Sequence, residues 1–135
     1  MPSSCGDSMD NPETKEEFAS RFARHSRHTG QFGTAIDTVL NGCVKMHVFS
    51  PSGRAIYTVV GRSGEEFIDP FKPFCSCKNY FFGVLGGRNQ TCYHLLSYEV
   101  AKEAGRLDKV GLHDEEFESF TRLLVHDLTT REDEE

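Results

Sequence analysis

A chain of 135 residues with a formal net charge of −6 and no tryptophan has room for one domain with a modest core. The acidic balance argues against bulk, non-specific binding to duplex DNA, which needs Lys and Arg to neutralise phosphates, but leaves room for a local basic strip. No apolar run is long enough to span a membrane, and the polar start Met1-Pro2-Ser3-Ser4 is no signal peptide.

Residues 1–11 are small and polar and are predicted to be disordered, with Cys5 exposed among them. Asn11-Pro12-Glu13 reads as a helix start: a capping side chain, proline at the first position and an acid in the first turn. The helix is predicted to run to about His28. Its apolar face is thin, Phe18 and Phe22 with Ala19 and Ala23. Arg21, Arg24, His25 and His28 form one stripe on the opposite side at spacings of three and four. Arg21 and Arg24 are the candidates there for contact with nucleic acid or an acidic partner, and a solvated helix face is the favoured alternative.

Thr29-Gly30 breaks this helix, and a second is predicted over Phe32 to Leu40, apolar at Ala35, Ile36, Val39 and Leu40 and ended by Asn41-Gly42. Cys43 to Phe49 alternates as a strand, with Val44, Met46 and Val48 on one face. Cys43 and His47 share the other face about 13 Å apart at strand rise, too far to hold one ion between them. Pro51-Ser52-Gly53 is turn chemistry, and Ala55 to Val60 is a second strand rich in β-branched residues. Gly61 to Gly64 turns the chain again into a short third strand, Glu65 to Asp69.

Pro70 and Pro73 bracket Phe71 and Phe74 and deliver an extended chain into Cys75. The aromatic segment Asn79 to Leu85 is predicted as one or two helical turns. Its rings suit packing around a small core better than base stacking. Gly86 to Gln90 is a polar, basic loop. A helix is predicted from Cys92 to about Ala104, capped by Thr91 and stopped near Gly105. A last helix begins at Asp114, where Glu115 and Glu116 suit its positive end. Phe117, Phe120, Leu124 and Leu128 repeat at helical spacing. That stripe packs on the domain or faces a partner, which makes Phe117, Phe120 and Leu124 the candidate partner-binding residues. Residues 131–135 are an acidic tail.

The chemistry sits between Cys75 and His94, where Cys75, Cys77, Cys92 and His94 form two tight pairs. In an extended segment residues i and i+2 point to one side, so Cys75 and Cys77 can present both sulfurs to one point. In mid-helix such residues lie about 200° apart. Cys92 and His94 therefore share a metal only if Cys92 stands at a helix entrance and His94 in its first turn. Three Cys and one His are a closed tetrahedral set, the pattern of structural Zn²⁺ rather than a catalytic site with a position open for water. The competing reading is buried free thiols with a surface histidine. Three of five cysteines within 18 residues, paired with a His, favour one zinc ion. An odd cysteine count with this clustering argues for a reducing, intracellular location. That means the nucleus in a eukaryote and the cytoplasm in an archaeon.

The Cys-Ser-Cys…Cys-Tyr-His pattern resembles the SWIM zinc finger. With Phe49-Ser50-Pro51-Ser52-Gly53-Arg54 upstream and Cys92-Tyr93-His94-Leu95-Leu96 downstream, it resembles the small SWIM-domain family of Shu-type recombination-mediator complexes. The likeness covers about residues 35–104. Tyr93 departs from it, since Lys or Arg is common between the last two ligands.

The fold expected is α+β: one small SWIM-type zinc-finger domain over 12–130, with its finger core at 70–104. Helices come first, then an antiparallel β-hairpin or three-stranded sheet, a zinc finger leading into a helix, and a C-terminal helix. No catalytic constellation stands out, and no enzyme is expected. The resemblance implies a non-catalytic subunit that partners a RecA-like recombinase paralogue and acts on the recombinase filament on single-stranded DNA during homologous recombination. Direct DNA binding by the chain alone is then weak or absent. The alternatives are a freestanding zinc-finger nucleic-acid binder, for which Arg21, Arg24, Arg54, Arg62, Lys78 and Arg88 are scattered support, and a redox- or zinc-sensing protein using the same thiolates.

Overall fold

The computed structural model describes residues 14–27, 30–61, 64–78, 80–87 and 91–130. The expectations for residues 1–11 and 131–135, the start at Asn11-Pro12, and His28, Arg62 and Arg88 lie outside these.

The first helix is shorter than its sequence suggests. Helix α1 spans Lys15–Ser20 and is capped by Thr14, whose hydroxyl accepts from the Glu17 amide at 3.0 Å. The Glu17 carboxylate accepts in return from the Thr14 amide at 3.1 Å, a complete capping box. The Ser20 hydroxyl donates back to the Glu17 carbonyl, a bond that competes with continued helix. The chain leaves the helix at Arg21–Phe22 and makes a 3-10 turn at Ala23–His25. This break lets Phe18 and Phe22 enter the same core with ring centroids 5.1 Å apart. It also dissolves the single basic stripe, because His25 is buried while Arg21 and Arg24 are exposed.

Helix α2 follows at Phe32–Leu40 and buries Ala35, Ile36 and Val39 as the periodicity predicts. Strands β1 (Val44–Ser50), β2 (Arg54–Gly61) and β3 (Gly64–Asp69) form the expected antiparallel meander. The β1–β2 turn closes with the Gly53 amide donating to the Phe49 carbonyl at 2.7 Å. Gly53 sits at φ 82°, where a side chain would be strained.

The sheet is wider than the three strands foreseen. On one edge β4, only Phe74–Cys75, pairs antiparallel with β3. On the other, β5 (Asp108–His113) pairs parallel with β1. The order is β4-β3-β2-β1-β5. β5 is hard to see in the sequence because only Val110 and Leu112 in Asp-Lys-Val-Gly-Leu-His are apolar. They share the one face of this edge strand that is covered. Helix α3 (Tyr93–Ala104) bridges β4 and β5 and ends at Gly105 in the left-handed conformation, φ 70°. Helix α4 (Phe117–Thr130) is preceded by a 3-10 turn at Asp114–Glu116.

Strand alternation sorts the core into two. Val44, Val59 and Ile68 join Phe18, Ile36, Val39, Leu95, Tyr98 and Val100 in one cluster between the sheet and α1–α3. His47 and Phe49 point to the opposite face and meet α4. There Phe49 lies 5.0 Å from Phe117 and 5.6 Å from Phe120, edge to face, and His47 lies 4.6 Å from Phe120. The sheet is thus covered on both sides.

Candidate metal centre

The residue pairs reach the site by the two routes that their spacing requires. Cys75 ends β4 opposite Ile68, and the chain continues extended beyond it, with the Ser76 amide donating to the Phe67 carbonyl at 3.0 Å. Ser76 is tied back to β3: its hydroxyl donates to Glu66 at 2.6 Å and accepts from the Phe67 amide at 3.0 Å. That fixes the residue between the two cysteines, so both sulfurs turn inward. After Cys77 the chain makes one wide helical turn, Tyr80–Val84, closed by the Leu85 amide donating to the Tyr80 carbonyl. The Tyr80 amide donates to Cys77 Sγ at 3.3 Å, and the Tyr80 hydroxyl to the Pro73 carbonyl at 2.7 Å.

The second pair departs from expectation in one respect. Cys92, not Thr91, is the N-cap of α3, with extended backbone at φ −107° and ψ 165°. Its carbonyl accepts from the Leu96 amide at 3.1 Å. The predicted geometry follows: Cys92 stands at the helix entrance and His94 lies in the first turn.

The ligand atoms of Cys75, Cys77, Cys92 and His94 all lie within 4.8 Å of one another, and all four residues are buried. A tetrahedral ion with Zn–S of about 2.3 Å keeps its sulfurs about 3.8 Å apart, so the cluster has the size of a zinc site. Two further observations fit an ion. His94 Nδ1 is buried with no hydrogen-bond partner, an orphan that is costly without one. The three thiols also compete for charge. Cys92 is held down to about 3, first by hydrogen bonds from Cys75 and Cys77 and then by the backbone amides of Leu95 and His94 at the helix N-terminus. Cys77 and Cys92 in turn push Cys75 far above the ordinary thiol range, with burial adding to the shift. Three thiolates gathered here need a cation, and a divalent ion would leave a net −1 facing the positive end of α3. The donor set fits one structural Zn²⁺. The ion would fix the direction of α3 against the sheet.

Around these ligands stand residues that spacing did not single out. The Tyr93 ring stacks on His94 with centroids 4.0 Å apart and planes 29° apart. Gly61, at the end of β2, lies directly against this pair. Nothing in a Gly-Arg-Ser-Gly turn announces a metal neighbour, so no sequence signal points to it.

The other candidates are dispersed. Arg21 lies over the rings of Phe18 and Phe22 at 5.1 and 5.5 Å, and Arg24 pairs with Glu103 on α3. Arg54 lies 3.8 Å over the Phe117 ring. The structure therefore gathers no basic surface from these three. Phe117, Phe120 and Leu124 turn toward the domain's own sheet, with Leu124 buried, and the outward apolar residues of α4 are Leu123 and Val125. The Ser-Pro-Ser-Gly-Arg turn has a structural role as a clasp for the start of this helix. Asp114 accepts from the Ser52 amide at 3.0 Å and from the Ser52 hydroxyl at 2.7 Å.

One partly buried polar group has the composition of a catalytic triad. His47 Nε2 lies 3.0 Å from the Thr58 hydroxyl, which donates to Glu65 at 2.5 Å. Thr58 is fully buried and the His47 ring is packed on Phe120, so no substrate reaches the hydroxyl. The proton points to the carboxylate rather than to the imidazole. The group ties three positions on β1, β2 and β3 together beneath α4.

This geometry defines a class: a small α+β domain closed by a buried Cys3His centre for one zinc ion. The chain is similar to the zinc finger SWIM domain-containing protein 7 homolog of Dictyostelium discoideum, 30% identical over 78 residues, 56% of this chain and 50% of that protein. It is also similar to zinc finger SWIM domain-containing protein 7 of Mus musculus, 28% identical over 134 residues, 86% of each chain. The match thus spans half the length of the Dictyostelium relative and most of the mouse one. No family model matches the chain, and no solved structure matches it. The four buried ligands and the likeness to these two proteins together support a SWIM-type zinc finger here. No helix among the described residues is long and apolar enough to cross a membrane.

Proposed function

We propose that this protein is a non-catalytic subunit of a recombination-mediator complex, bound to a RecA-like recombinase paralogue and supporting homologous-recombination DNA repair. The observation that carries this reading is the joint occurrence of the Cys75–His94 finger with the Ser-Pro-Ser-Gly-Arg turn, the combination that resembles the small SWIM family of Shu-type complexes. The surface is consistent with a partner. Leu123 and Val125 are 69% and 56% exposed on α4, one on each flank of the buried Leu124. They replace Phe117, Phe120 and Leu124 as the contact residues in this proposal, because those three are occupied by the domain's own sheet. The occupied positions of Arg21, Arg24 and Arg54, with the net charge of −6, favour this reading over a freestanding DNA binder.

The test is co-expression of the chain with a candidate RecA-like ATPase from the same source. Wild type should co-purify with it, and Leu123→Asp should lose the partner at an unchanged melting temperature. If wild type recovers no RecA-like ATPase, the recombination reading is to be dropped.

A further inference from the structure

Gly61 is glycine for a reason other than its backbone. Its φ is not among the positive values found at Gly30, Gly42, Gly53, Gly64, Gly87 and Gly105, so any residue tolerates the conformation. What it lacks is room. A Cβ there would lie 2.3 Å from the Tyr93 hydroxyl, 3.0 Å from His94 Nε2 and 3.4 Å from the Tyr93 ring. Gly33 and Gly111, with equally ordinary backbone, have nothing within 4 Å of such an atom.

The consequence lies at the metal ligand. One face of the His94 imidazole is covered by Tyr93, and its Nε2 edge abuts the end of β2. The other ring nitrogen, Nδ1, is buried without a partner. Whichever nitrogen the ring offers an ion, Tyr93 covers one of its faces and position 61 leaves no room for a side chain beside Nε2. Metal-ligating histidines usually take their ring orientation from a hydrogen bond on the other nitrogen, and losing that outer contact typically costs about 10- to 100-fold in metal affinity. Here the contact is steric, made by a stacked ring and a missing side chain.

We propose that Gly61 and Tyr93 form a positioning clamp for His94, so that residue 61, on a strand carrying no ligand, sets how tightly zinc is held. The clamp also joins the β2–β3 turn to the metal centre, since Gly61 pairs with Gly64.

The experiment uses the full chain and measures zinc affinity by chelator competition. A second reading takes the visible absorption of the Co²⁺-substituted protein, whose ligand-field bands report ligand geometry. Gly61→Ala should weaken zinc about 10- to 100-fold and shift the cobalt bands. Gly111→Ala, the same change on an open strand position, should do neither. Tyr93→Phe keeps the stack and should behave as wild type. In the Gly61→Ala background it removes the nearest obstruction and should recover part of the lost affinity. Tyr93→Ala uncovers the ring and should weaken zinc without adding any bulk, which keeps the test decisive if Gly61→Ala fails to fold. Unchanged affinity and cobalt bands in Gly61→Ala, or in Tyr93→Ala if that is the variant that folds, overturn the clamp. A loss of stability with unchanged cobalt bands overturns it equally, because it assigns both residues to packing.

Discussion

Two regions on opposite faces of the sheet, the finger end of the α3 face and the start of α4, are stabilised by different means. On the α3 face, the β4 edge is two residues long and pairs with β3 at only two positions, too little to hold an edge strand alone. The wide turn that follows and the entrance of α3 are fastened chiefly by converging on Cys75, Cys77, Cys92 and His94. On the α4 face the fastening is aromatic. Phe49 is fully buried against Phe117 and Phe120, and Arg54 and Asp114 pin the helix start to the β1–β2 turn. The finger end adds a metal site to its share of the core, whereas the α4 region rests on packing alone, so their order should be separable by experiment.

Removing the ion is the largest perturbation. Binding energy at a structural zinc site is folding energy, about 10 kcal/mol or more in small domains. Cys77→Ser and His94→Ala, or chelation of the wild type, should strip hydrogen-exchange protection from β4, the wide turn and the first turn of α3. The β1–β2 hairpin and α4 should lose protection last. An unchanged melting temperature in both variants would show that the site is no structural zinc centre. Uniform loss across both faces would abolish the distinction between them.

The converse perturbation is smaller. Phe49→Ala removes a fully buried ring from beneath α4, and truncations of this kind typically cost about 3–5 kcal/mol. Phe49 lies outside the cluster that contains Cys75, Cys77 and Cys92, so the variant should still carry one zinc per chain while unfolding at lower urea. Metal loss in the folded variant would show that the two faces are coupled through the sheet.

How much of this was legible in the sequence depended on the range of the signal. The zinc ligands were readable because i and i+2 spacing limits which backbone can present both residues, and Cys-Ser-Cys and Cys-Tyr-His each admit one solution. Helix α2 and the β1–β2 turn were readable from local periodicity and turn residues. Signals that depend on what lies across the chain were not. Val44 to Phe49 reads as a strand with one apolar face, yet both faces are covered because α4 returns from 70 residues away to meet His47 and Phe49. β5 carries little β propensity and is recruited by parallel pairing with β1. The stripe Phe117, Phe120 and Leu124 is the side of α4 turned toward the sheet, with Leu124 buried and the two phenylalanines half-buried. Whether the surface it meets belongs to this chain is a tertiary question that periodicity does not address. Gly61 is the extreme case, since only a neighbour 32 residues on gives its missing side chain a meaning.

The smallest predicted effect tests the polar part of the α4 face. Glu65 is about a third exposed, and its carboxyl is held below the ordinary value of 4.5 by hydrogen bonds, first from His47 and then from Thr58, against the opposing effect of burial. A carboxyl whose native pKa is depressed binds protons less readily folded than unfolded. Its stabilising contribution is therefore complete above about pH 4.5 and is lost as pH falls through the depressed native value. Partial exposure screens the interaction, so the contribution is small, about 1 kcal/mol or less. Glu65→Gln should lower the melting temperature slightly at pH 7, and the gap to wild type should close as the pH drops below 4.5. Acid also protonates the zinc-binding thiolates, but it does so in both proteins, so the difference between them isolates Glu65. A gap that stays constant from pH 7 to pH 3 would mean that the Gln variant loses packing or hydrogen-bond geometry rather than charge. A gap that widens in acid would contradict the sign of the shift, and with it the hydrogen bonds that join β1, β2 and β3 beneath α4.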